Sequence, residues 1–92
     1  MVKSVVSAKK KVPELVLFGE AVRLHRKALS YSQEAFGDVC GIDRSYMGGI
    51  ERGEHNLALI NILKVITALG LQPSEFFKAL DTPKKSKTKT PH

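Results

Sequence analysis

Ninety-two residues suffice for one small domain with a single core, and a hydrophobic content of 42% is that of a globular rather than a disordered chain. The lone Cys40 excludes an intramolecular disulfide, and no apolar run approaches the roughly 20 residues of a membrane-spanning helix or follows a basic start in the manner of a signal peptide, so a cytoplasmic protein is expected. The formal charge of +6 resides in the ends: residues 1–12 carry Lys3, Lys9, Lys10 and Lys11, and residues 82–92 carry Lys84, Lys85, Lys87 and Lys89, neither with an acid, which leaves residues 13–81 at −2.

This divides the chain into a basic N-terminal tail, a folded segment over 13–81 and a Lys-rich C-terminal tail, with both tails read as flexible, solvated ends. Pro13 and Glu14 predict a helix start, because proline is tolerated in the first turn and an acid there suits the helix dipole. This helix extends to about Leu29, with Phe18, Val22 and Leu29 as its apolar stripe, Ala21 beside it and Arg26 on the same face. Ser32 is an N-cap for a second helix over Gln33–Cys40, whose inward residues are Phe36, Gly37 and Cys40, and Gly41 ends it. Asp43 caps a third helix that Gly53 stops. A fourth runs from about Leu57 to Leu69, with Leu59, Ile62, Leu63, Ile66 and Leu69 at helical spacing before Gly70. A fifth, short one opens at Pro73 with Glu75 in its first turn and carries Phe76, Phe77 and Leu80. No segment alternates with the period of a strand. The expected class is all-α, a compact bundle of five short helices.

The second and third helices, joined by a glycine-containing turn, have the outline of a helix-turn-helix. The stretch Ser-Gln-Glu-Ala-Phe-Gly-Asp-Val-Cys-Gly-Ile-Asp-Arg-Ser-Tyr (32–46), Ile-Glu-Arg-Gly (50–53), Ala-Leu-Gly (68–70) and Pro-Ser-Glu-Phe-Phe (73–77) resemble the phage repressor and Cro-like (XRE-type) helix-turn-helix family over about two thirds of the chain. This resemblance implies the lambda repressor-like fold, and it implies an ion pair between Arg26 and Glu51. A helical wheel agrees, since Met47, Ile50 and Glu51 cluster on one side of the third helix.

The opposite side of that helix shows Ser45, Gly49 and Arg52, flanked by Arg44, Gly48 and Tyr46. In proteins of this type the N-terminal residues of the recognition helix reach base edges, while the preceding helix crosses the phosphates. Arg44 suits a bidentate contact to guanine and Ser45 can meet almost any base, so these two are the expected base readers. Gln33 matches the family position that contacts phosphate; Tyr46, Gly49, Arg52 and Asn56 are further backbone or groove candidates, with packing an equal alternative for Tyr46. Asp43 is read as a cap. Two adjacent glycines in mid-helix each cost about 0.5–1 kcal/mol relative to alanine. Gly49 is read as permitting close approach to the groove, and Gly48 as relieving crowding near a phosphate. Where the family often places lysine or arginine after the third helix, this chain has Glu54 and His55.

Gly48, Gly49 and Gly53 do not spell a phosphate-binding loop, and His25, His55 and His92 are scattered without companion cysteines, so no metal site and no cofactor are expected. Cys40 is read as a small buried hydrophobe and Met47 as core. No acid, base and nucleophile cluster, so an enzyme is not expected. The expectation is a bacterial DNA-binding transcriptional regulator, a homodimer on a two-fold-symmetric operator in double-stranded DNA, with no membrane and no small-molecule effector. Restriction-modification controller proteins and prophage regulators both fit. Leu57, Ile60, Val65, Phe77 and Leu80 are interface candidates that could instead complete the core. The alternative is an antitoxin whose main task is binding a toxin protein.

Overall fold

The computed structural model describes residues 12–81; the basic segments expected over 1–12 and 82–92 lie outside the described residues, apart from Val12. Five helices follow in order: α1 (Pro13–Ala28), α2 (Gln33–Cys40), α3 (Arg44–Glu51), α4 (Leu59–Ala68) and α5 (Pro73–Ala79). Local chemistry marks the starts of α1, α2, α3 and α5. Pro13 occupies the first turn of α1, and His25, Arg26 and Lys27 place basic side chains against the negative end of its dipole. Ser32 Oγ accepts from the Ala35 amide at 3.0 Å at the start of α2, and Asp43 Oδ2 accepts from the Ser45 amide at 2.9 Å at the start of α3. The Gln72 amide donates to Glu75 Oε1 at 2.9 Å at the start of α5. Gly41, between α2 and α3, has φ +74°, a left-handed conformation that lets the chain reverse within three residues.

The core is a layer of fully buried side chains drawn from all five helices, among them Val22, Phe36, Met47, Val65, Ile66 and Phe76. Each removes enough apolar surface from water to contribute about 1.5–3 kcal/mol. Phe18 and Phe76 meet edge to face at a centroid distance of 5.3 Å and tie the first helix to the last. Gly19 lets α1 press against the end of α3: a Cβ there would collide with the Ile50 carbonyl oxygen and lie 2.7 Å from that of Glu51.

Three packing expectations are corrected. Leu29 follows the end of α1 and is about half exposed; the partly buried Tyr31, whose ring lies 5.6 Å from that of Phe36, packs against the core. The inward stripe of α4 is Ile62, Val65, Ile66 and Leu69, while Leu59 and Leu63 point outward. α4 is apolar on nearly every side, so periodicity fixes its inner face only to within about one position. Consequently Val65 is completely buried and Leu57, in the segment before α4, is buried in the core, so neither can serve an interface; Ile60 and Phe77 remain exposed and Leu80 is partly buried.

Candidate nucleic-acid interface

The α2–α3 pair is held against α1 by one buried ionic cluster. Arg26 Nε donates to Glu51 Oε2 at 2.6 Å, Arg26 Nη2 donates to Glu51 Oε1 at 2.9 Å, and Arg26 Nη1 donates to the Tyr31 carbonyl oxygen at 2.8 Å. Gln33 Nε2, at the start of α2, donates to Glu51 Oε1 at 3.0 Å. Three donors, two from Arg26 of α1 and one from Gln33 of α2, thus converge on the Glu51 carboxylate of α3, while the α1–α2 connection holds the guanidinium through the Tyr31 carbonyl; the bidentate geometry is the strong form of this contact. Burial by itself pushes the Glu51 carboxyl up. Hydrogen bonds from Arg26 and Gln33, with the charges of Arg26 and Arg23, outweigh it and hold the carboxyl below the usual range, while the Glu51 hydrogen bond raises the Arg26 guanidinium. Both partners are therefore charged at neutral pH. No buried side-chain nitrogen or oxygen among the described residues lacks a hydrogen-bond partner.

The expected Arg26–Glu51 pair is thus present, and it fixes the rotation of α3 about its own axis. Met47, Ile50 and Glu51 face inward, and Arg44 and Ser45 stand at the exposed N-terminal end. Arg44 has a side chain 65% exposed and 3.9 Å from Glu34 Oε1, a solvent-screened contact too weak to hold it. Asn56 is exposed in the segment after α3. Tyr46 is half-buried. Arg52, at the end of α3, is exposed and forms a two-pronged contact with Glu54: its Nε donates to Oε2 at 2.9 Å and its Nη2 to Oε1 at 3.2 Å, which raises the guanidinium pKa. Gln33 turns its side-chain amide inward to Glu51, which leaves its side chain engaged with the scaffold.

The two glycines depart from the open outward face that the wheel assigns them: both are buried. A Cβ on Gly48 would lie 3.1 Å from Arg52 Nη1 and 3.5 Å from Gln33 Oε1. A Cβ on Gly49 would collide with the His55 imidazole, reaching within 2.6 Å of its Cδ2. The space over Gly49 belongs to His55, whose ring stacks on that of Tyr46 at 4.1 Å with an interplanar angle of 11°. The sequence assigns His55 no contact with α3; it is half-buried and stacks on a ring of that helix. Arg23, also unremarked in the sequence, lines a polar groove with Glu20, Gln33 and Arg52 beside the start of α2. A single-helix wheel carries no signal for either residue, because both reach α3 from other segments.

Two short helices joined at a left-handed glycine, the second anchored from behind and exposed at its N-terminal end, define a helix-turn-helix unit. The chain belongs to the helix-turn-helix family, whose model matches residues 22–76. This is a family of DNA-binding regulators rather than of enzymes. Among its relatives is control protein C.BamHI of Bacillus amyloliquefaciens, 44% identical over 61 residues that span 65% of this chain and 75% of that protein. Control protein C.MunI of a Mycoplasma species is 33% identical over 67 residues, 72% of this chain and 90% of that protein. Among solved structures, the restriction-modification controller protein C.AhdI from Aeromonas hydrophila superposes with a TM-score of 0.68 at 48% identity, covering 72% of this chain and all of that one. No helix among the described residues is long and apolar enough to cross a membrane.

Proposed function

We propose that this protein is a sequence-specific DNA-binding transcriptional regulator of the restriction-modification controller type, acting as a homodimer on a two-fold-symmetric operator. The observation that carries this reading is the exposed Arg44–Ser45 end of α3, presented from a helix whose opposite side is locked by the Arg26–Glu51 pair. Arg44 has the length and the planar donor fork to meet guanine O6 and N7 in the major groove, and Ser45 beside it can donate or accept at a neighbouring base. Arg52 at the end of α3 and the exposed Asn56 in the segment after it are candidates for the phosphates, Arg52 exchanging its exposed contact with Glu54 for one to DNA. The folded segment is slightly acidic, so its affinity rests on these placed side chains, with the lysine-rich ends adding a sequence-independent attraction.

One recognition helix reads only a few base pairs, and a two-fold pair places two such helices in successive major grooves about 34 Å apart. The exposed apolar face of α4 formed by Leu59, Ile60 and Leu63 suits the pairing surface, with Phe77 of α5 as a second exposed apolar residue. Relatives that are control proteins support this class, and no observation favours the toxin-binding alternative. Selection of bound sequences from a random double-stranded DNA pool at two salt concentrations tests the reading. A two-fold-symmetric enriched motif is expected; binding that depends on charge alone, with no enriched motif, overturns it.

A further inference from the structure

We propose that His55 is a positioning residue for DNA recognition: seated on Gly49, its imidazole stacks on Tyr46 and fixes that ring on the DNA-facing surface of α3. The inference rests on the DNA-binding reading and adds a specificity device to it.

The geometry begins with the end of α3. The Gly53 amide donates to the Ile50 carbonyl oxygen at 3.0 Å and the Glu54 amide to that of Gly49 at 2.9 Å, so the chain curls back over the last turn of the helix instead of leaving it. Gly53, at φ +75°, makes that reversal without strain. The curl delivers His55 onto the backbone of Gly49, where any side chain would occupy the same space. The imidazole then lies flat against Tyr46, at 4.1 Å and 11°, and occupies one side of its ring.

An unsupported tyrosine near the start of a helix samples more than one staggered χ1 well. Immobilising it on binding has an entropic cost, and holding it beforehand removes that cost. Gly49 accounts for this arrangement physically, since its missing side chain is the seat of the ring. The mid-helix glycine, unfavourable for the isolated helix, is thereby explained by a tertiary contact rather than by an open approach to DNA.

The test is a double-mutant cycle on affinity for the sequence that the wild-type chain enriches from a random pool, with the Tyr46 ring protons followed by NMR in the DNA-free protein. His55→Ala is expected to shift the Tyr46 ring resonances and weaken binding about 2- to 12-fold, the range that corresponds to one aromatic pair. In a Tyr46→Ala background the same change is expected to have no further effect. His55→Phe, which keeps a flat ring without the nitrogens, is expected to retain affinity. Gly49→Ala raises helix propensity while displacing the ring, so it is expected to reproduce the His55→Ala loss even if His55→Ala itself folds poorly.

Losses at Tyr46 and His55 that simply multiply would mean that His55 contacts DNA on its own, and would overturn the positioning role. So would an unshifted Tyr46 resonance, a His55→Phe protein as weak as His55→Ala, or a Gly49→Ala protein that binds like wild type. Failure of the DNA-binding reading looks different: the wild-type chain enriches no sequence although the NMR signature of the stack is present.

Discussion

Replacing Arg26 with alanine removes the three hydrogen bonds that its guanidinium makes, at 2.6, 2.9 and 2.8 Å, to Glu51 and to the Tyr31 carbonyl. Glu51, with a side chain only 2% exposed, would keep Gln33 as its remaining hydrogen-bond partner. Breaking a buried pair from one side costs about 3–5 kcal/mol, because the surviving charge stays desolvated. Against a total stability of about 5–15 kcal/mol for a domain, this is a large fraction. For a domain of this size the melting midpoint is expected to fall by at least ~12 °C.

The effect carries a pH signature with a definite sign. In the wild type the folded-state pKa of Glu51 is depressed, so its stabilisation is present above the unfolded carboxylate pKa and is lost as pH falls through the folded value. In Arg26→Ala the strongest lowering influence is gone and burial remains, so the folded pKa rises above the unfolded one. Protonating Glu51 then relieves the buried charge, and the variant loses less than the wild type on acidification. Urea unfolding followed by circular dichroism at pH 7 and at pH 4.5 measures both effects. A loss below about 1 kcal/mol at neutral pH, or a gap that widens on acidification, would refute the reasoning. Replacing both partners with apolar residues of similar volume, Arg26→Met with Glu51→Leu, is expected to recover much of the loss, as seen when other buried ion pairs are exchanged.

Arg44→Ala is expected to cost about 1–3 kcal/mol of operator affinity and to relax selectivity at one base pair per half-site, with the melting midpoint unchanged; a uniform loss across sequences would make Arg44 a phosphate contact. Gly19→Ala forces a methyl group against the Ile50 and Glu51 carbonyl oxygens, so thermal denaturation is expected to show a loss of about 1–3 kcal/mol despite the gain in helix propensity. Ile60→Glu on the exposed face of α4 is expected to shift sedimentation toward the monomer while circular dichroism stays native, whereas Val65→Glu places a carboxylate in the core and abolishes folding. The Cys40 thiol, pushed up to about 11 by burial in spite of the charge of Lys64, is expected to resist iodoacetamide at pH 8 until urea exposes it; rapid alkylation of the native protein would contradict that environment.

The elements most legible in the sequence are those whose chemistry is local. Ser32, Asp43, Pro13 and Pro73 mark helix starts through hydrogen bonds or backbone restrictions within one turn, and Gly41 and Gly53 mark reversals that only a positive φ allows. For that reason the bounds of α2 and the caps of α2 and α3 are as the sequence predicts. The Arg26–Glu51 pair spans 25 residues, yet it too was legible, because a charged residue in an apolar stripe demands a partner and the family pattern names it. The inner face of α4 was not. Leu59, Ile60, Ile62, Leu63, Val65 and Ile66 surround the helix with apolar side chains, and the choice among them is made by how α4 leans on α2 and α5. The residues left outside are the ones now assigned to pairing, so the same ambiguity that misplaced Val65 concealed Leu59 and Leu63.

The mid-helix glycines fail to be legible for a different reason. A helical wheel reports direction from one helix axis and assumes that whatever is not core is solvent. Gly48 and Gly49 do lie away from the inward face of Met47 and Ile50, as the wheel has it, but the chain after Glu51 folds back and brings Arg52 and His55 over them. The outer surface of α3 is therefore not the helix side alone. It combines the exposed Arg44 and Ser45 of the first turn with the stacked rings of Tyr46 and His55. The apparent departure at positions 54 and 55, acid and imidazole where related sequences often carry strong bases, then has a structural account. Glu54 pairs with Arg52 and His55 packs on Tyr46, so both side chains of this segment turn back onto the end of α3. Gly49, which weakens α3 in isolation, leaves the space that the His55 ring occupies.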